Sequence, residues 1–78
     1  MIEQSYYEIN KYFPAYPNLP YRVEIAGLHY WDQSRAMMEF NNFCFKLKRG
    51  VKKENYEWIT ESEFKCEGIL YKLEKLLK

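Results

Sequence analysis

A single histidine (His29), two cysteines 22 positions apart (Cys44, Cys66) and three glycines leave this 78-residue chain short of the residues from which most active sites are assembled. Zinc needs three or four ligands at recognisable spacings. His29, Cys44 and Cys66 could supply three, but their separations fit no such pattern, so no metal and no cofactor is expected. Nucleophilic catalysis needs a base beside the nucleophile and a third group to orient that base. The only imidazole is followed by Asp32 and Ser34, without the strained elbow or glycine-rich loop that builds an oxyanion site. A metal-free nuclease using Lys, Arg, Tyr and Glu is chemically conceivable, but a net charge of +1 suits it poorly. The expectation is a protein that is not an enzyme.

Long apolar runs are also missing. No stretch approaches the ~20 residues of a membrane span, and the N-terminal residues lack the basic and apolar regions of a signal peptide. These features predict a cytoplasmic protein with reduced thiols.

The chain is rich in aromatics: eight tyrosines, five phenylalanines and two tryptophans. Tyr and Trp bring large contact area at small entropic cost, which suits a protein that works by touching another. At this length one compact domain over residues 1–78 is expected, with only ~60% of its surface buried on folding.

The periodicities predict an α+β fold in the order α-β-α-β-α. Ile2, Tyr6, Ile9 and Phe13 mark one face of a first helix, which Pro14 stops. Pro14, Pro17 and Pro20 then repeat every third residue, the period of polyproline II. The segment reads as a stiff connector or, alternatively, as a ligand for an aromatic groove. Tyr21 to Ala26 alternates as a strand.

Residues 32–49 fit two patterns. As a helix, Asp32 caps it, Gly50 ends it, and Ala36, Met37, Phe40, Phe43, Cys44 and Leu47 share one face, with Met38 and Phe45 outside it. As a hairpin turning at Asn41-Asn42, residues 36–47 would join a four-stranded antiparallel sheet flanked by terminal helices. The caps and helix formers favour the helix. Val51 to Asn55 reads as a charged loop and Tyr56 to Ile59 as a short strand. Thr60-Glu61-Ser62-Glu63 has the spacing of a capping box, opening a terminal helix with Phe64, Ile69, Leu70, Leu73, Leu76 and Leu77 on or near one stripe and Gly68 at a close packing point. Any part of that stripe left uncovered would be a dimer or partner seam, so the chain is expected as a monomer or a homodimer.

Two function classes follow. The favoured one is a non-catalytic binding protein that docks on another macromolecule. Interface hot spots are enriched in Trp, Tyr and Arg, which selects Tyr16, Tyr30, Trp31, Arg35 and Trp58. The composition is analogous to that of phage or mobile-element accessory proteins, among them inhibitors of host defence enzymes. The alternative is a nucleic-acid or nucleotide binder. In that reading Lys46, Lys48, Arg49, Lys52 and Lys53 contact phosphates while Tyr56 and Trp58 stack on bases.

Overall fold

The computed structural model describes residues 5–23 and 33–77. Among the described residues there are five antiparallel strands and one α-helix: β1 (Ser5–Tyr12), β2 (Tyr21–Arg22), α1 (Gln33–Leu47), β3 (Tyr56–Thr60), β4 (Glu63–Cys66) and β5 (Ile69–Leu77). A short 3₁₀ turn at Lys53–Asn55 leads into β3. The sheet order is β2-β1-β5-β4-β3, so strands from the two ends of the chain lie side by side at its centre. The class is α+β, but the observed order is β-β-α-β-β-β.

The middle helix forms where the caps placed it. Ala36, Phe40 and Cys44 are buried, while Met37, Phe43 and Leu47 pack at the margin of the core. Gly50 follows at φ +79°, a conformation that a glycine beyond a helix end adopts without steric cost. The hairpin alternative for residues 36–47 is thereby excluded, and Asp32 lies outside the described residues.

Both terminal helices are replaced by strands. Over residues 5–12 the deciding pattern has period two: Tyr7 and Ile9 point into the core, while Tyr6, Glu8 and Tyr12 lie on the other face. β1 pairs with β5 from Ser5↔Leu77 to Tyr12↔Leu70, a ladder between segments at opposite ends of the chain that no local window reveals. In place of the predicted terminal helix, β4 and β5 form a hairpin. Phe64 and Cys66, then Tyr71 and Leu73, alternate inward and are buried. Cys66 pairs with Ile69 across the two-residue loop Glu67-Gly68, whose φ values of 51° and 82° define a type I′ turn. Gly68 therefore supplies a positive φ and is not a helix packing point. The apparent capping box is a strand connection: Thr60 Oγ1 accepts a hydrogen bond from Ser62 N at 3.2 Å. Ser and Thr make the same short side-chain bond in turns as at helix starts, so the motif alone does not choose between them.

The prolines do not form polyproline II, which has no internal hydrogen bonds. Tyr16 N donates to Phe13 O at 2.9 Å, and Leu19 N to Tyr16 O at 3.2 Å. These are consecutive turns with Pro14 and Pro17 at the second position, where a fixed φ is favourable. The segment connects β1 to β2. The predicted strand at Tyr21–Ala26 forms over Tyr21–Arg22, and its residues 24–26 lie outside the described residues.

α1 covers one face of the sheet, resting on β1 and β5. Among the described residues the core side chains are Tyr7, Ile9, Ala36, Phe40, Cys44, Phe64, Cys66, Tyr71 and Leu73. Among the described residues no helix is long and apolar enough to cross a membrane.

Candidate interaction surface

The helix that builds the core also carries a second, outward stripe. Arg35, Met38, Asn42 and Phe45 follow one another at steps of three and four residues, with Arg49 in the turn just past the helix end, and all five are exposed. Met38 is 54% and Phe45 58% exposed, so two large apolar side chains seven residues apart face solvent on one line. This line is diametrically opposite Ala36, Phe40 and Cys44, as 100° per residue requires.

The charges around it are one-sided. Over residues 33–53 six cations (Arg35, Lys46, Lys48, Arg49, Lys52, Lys53) face a single acid, Glu39. None of the six has an ion-pair partner among the described residues. Lys48 Nζ instead lies 5.1 Å from the Phe45 ring centroid and 5.7 Å from that of Tyr56, tying the end of α1 to the start of β3. Over residues 54–77 the balance inverts, with six glutamates against Lys65, Lys72 and Lys75.

The opposite face of the sheet satisfies its polar groups internally. Asn10 Nδ2 donates to Glu74 Oε1 at 3.1 Å and to Glu8 Oε1 at 3.4 Å, and the Tyr12 hydroxyl donates to Glu74. Arg22 Nε is 3.8 Å from Glu8 Oε2, and Lys72 Nζ is 3.9 Å from Glu63 Oε2. Lys72 also lies over the Tyr12 ring, 5.1 Å from its centroid. Burial first, then the hydrogen bond to Glu74 and the charges of Glu74 and Glu8, push the Tyr12 phenol up to about 12. This face also holds a groove of about 410 Å³ between the turns at Phe13, Pro14 and Pro17 and the strands at Ile59 and Leu70. A second hollow of about 530 Å³ is lined by Lys53, Lys65, Glu54, Glu57 and Glu67, a mixture of both signs.

Of the five expected protein-contact residues, the three that are described, Tyr16, Arg35 and Trp58, lie on three different segments. Tyr16 is 60% exposed on the β1–β2 connector, Arg35 belongs to the outward stripe of α1, and Tyr30 and Trp31 lie outside the described residues. Trp58 is 42% exposed, but its ring packs 4.8 Å from Phe64 and 5.9 Å from Phe40, so it closes the core as well as facing solvent. The basic set is more coherent. Lys46 lies in the last turn of α1, Lys48, Arg49, Lys52 and Lys53 follow it, and Lys48 reaches Tyr56. Met38 and Phe45 were missed as contact residues, although their signal was present: they are the two apolar side chains that the helical period leaves off the core face.

Cys44 and Cys66 are buried free thiols. Burial, then the neighbouring Cys66, pushes Cys44 up to about 12, and burial and Glu67 also raise Cys66. Among the described residues no three His, Cys, Asp or Glu side chains are grouped to hold a metal ion, and His29 lies outside them. No family model, curated protein or solved structure matches this chain.

Proposed function

We propose that this chain is a non-catalytic binding protein that docks through the outward face of α1 on an acidic surface of another protein, with Met38 and Phe45 as apolar anchors. The observation that carries this reading is the pairing of two exposed apolar side chains with six cations that have no ion-pair partner among the described residues. Interfaces commonly combine a desolvated apolar centre with a charged rim, and the rim selects a partner of opposite sign. Arg35 is part of that rim. Inhibition of a host defence enzyme by a phage or mobile-element accessory protein is one role such a surface would suit.

The test is affinity capture with the tagged full-length chain, before and after nuclease treatment, compared with the double variant Met38→Ser/Phe45→Ser. The expected result is one dominant acidic protein that survives nuclease and is lost with the double variant. Capture that the double variant leaves unchanged would refute the helix face as the docking site.

The alternative, a nucleic-acid or nucleotide binder, is supported by the placement of Lys48 against Tyr56 beside the other cations. It predicts affinity that falls steeply with salt and is abolished by Lys52→Glu/Lys53→Glu. Binding unaffected by both would remove it.

A further inference from the structure

We infer, resting on the docking face proposed above, that the partner presents an acidic amphipathic helix, laid lengthwise along the stripe of Arg35, Met38, Asn42 and Phe45.

The shape of the occupant follows from what α1 offers. Its peptide groups bond within the helix, so its outer face presents side chains and no free N–H or C=O. A strand or extended loop draws its affinity from main-chain bonds, and against this face its own peptide groups find no partner. A helix arrives with its backbone already satisfied. Spacing agrees. Met38 and Phe45 are seven residues apart on α1, and a rise of ~1.5 Å per residue sets them ~10.5 Å apart along the axis. A strand returns to one face at steps of ~6.6 Å and ~13 Å. A second helix repeats its face every seven residues, the same ~10.5 Å, and at a crossing of ~20° stays in contact over both turns.

Charge sets the sign. The helix positions within ~60° of Met38 are Ser34, Arg35, Asn41, Asn42 and Phe45, all exposed and none acidic. Glu39, the one acid of α1, is turned ~100° from Met38, and it forms no ion pair with Arg35. Each apolar anchor has a cation beside it. Arg35 precedes Met38 by three residues, Lys48 Nζ lies 5.1 Å from the Phe45 ring centroid, and Arg49 follows. A helix with carboxylates flanking its apolar positions meets both cationic ends, and a basic one is repelled at both. The same charges exclude a second copy of α1 as the occupant. Laid antiparallel it sets Arg35 against Lys48 and Arg49, and laid parallel it sets each cation against itself.

The experiment titrates the isotope-labelled full chain with a lactam-bridged helical peptide that carries two leucines seven residues apart and glutamates in the turns beside them. Three further probes are the same peptide with one leucine moved to its opposite face, a version with lysine for every glutamate, and duplex DNA. Backbone amide shifts locate the site, and circular dichroism checks that each variant and peptide is folded. The acidic peptide should bind saturably, with shifts centred on Met38, Asn42 and Phe45. Moving the leucine should weaken binding ~10-fold or more, and so should Met38→Ser/Phe45→Ser. The lysine version should not bind. No binding by the acidic peptide, or equal binding by the one with the displaced leucine, overturns the helical occupant, and the capture experiment above still decides the docking face by itself. Peptide binding that Met38→Ser/Phe45→Ser leaves unchanged overturns both. Duplex DNA held more tightly than the acidic peptide, with shifts on the same residues, overturns the acidic partner.

Discussion

Asn10 is hydrogen-bonded to Glu74 across the central β1–β5 pair, and the same amide nitrogen also reaches Glu8, whose backbone register partner is Glu74. Two carboxylates directly opposite on adjacent strands repel. A neutral amide donating to both, 4% exposed, offsets that repulsion where water is scarce. Asn10→Asp keeps the shape and replaces the donor with a third carboxylate. The expected cost is about 1–3 kcal/mol. Urea denaturation measures it, and an equal loss from the neutral Asn10→Leu would show that the added charge is not the cause.

Raised phenol and thiol pKa values give the fold an alkaline limit. Tyr12 and Cys44 both titrate near 12 in the folded chain, above their ordinary values of about 10 and 8.5. The unfolded chain therefore loses these protons first. Their contribution is fully present below about pH 8.5 and is lost as the pH rises towards 12. Melting temperature should be level near neutrality and decline from about pH 9 upward. Tyr12→Phe should flatten part of that decline while costing about 1 kcal/mol at pH 7 through the lost bond to Glu74.

Neither thiol should react while the protein is folded. A nucleophilic thiolate needs exposure and a depressed pKa, and Cys44 has the reverse of both. Alkylation at pH 8 should proceed at the rate of opening and accelerate sharply in denaturant. Rapid modification of Cys44 in the native chain would contradict its burial.

The Glu67-Gly68 turn is strained at its first residue. Glu67 holds φ 51°, where Asn is far better tolerated than Glu. Glu67→Asn should stabilise the chain by about 0.5–1 kcal/mol. Gly68→Ala should destabilise it by about 1 kcal/mol or more through its backbone alone, since an added Cβ would come no closer than 4.0 Å to Pro14 Cγ. Thermal melts distinguish the two, and opposite signs are required.

Core and outward positions on α1 should respond differently. Phe40→Ala empties a fully buried site and should cost about 3–5 kcal/mol. Trp58→Ala, at the core margin, should cost roughly 2–3 kcal/mol. Met38→Ser and Phe45→Ser should each stay within about 0.5 kcal/mol of the parent chain. A large loss from either outward substitution would mean that the stripe is structural.

What the sequence by itself settled was confined to α1: over residues 32–49 its caps favoured a helix above a hairpin, and with the helix came the buried face, the stop at Gly50 and the two apolar residues left outside that face. A helix is legible because its hydrogen bonds and side-chain period are local. Tertiary structure decided the ends of the chain. Ile69, Leu70, Leu73, Leu76 and Leu77 satisfy a helical stripe, whereas Phe64, Cys66, Ile69, Tyr71 and Leu73 satisfy an alternating one, and leucine serves both. The choice rests on pairing Ser5–Tyr12 with Ile69–Leu77, partners separated by nearly the whole chain. The same distance in sequence hid the role of Trp58. Whether Trp58 is core or contact depends on Phe40 and Phe64 meeting it from other elements, and an aromatic residue carries no local mark of which neighbours will cover it.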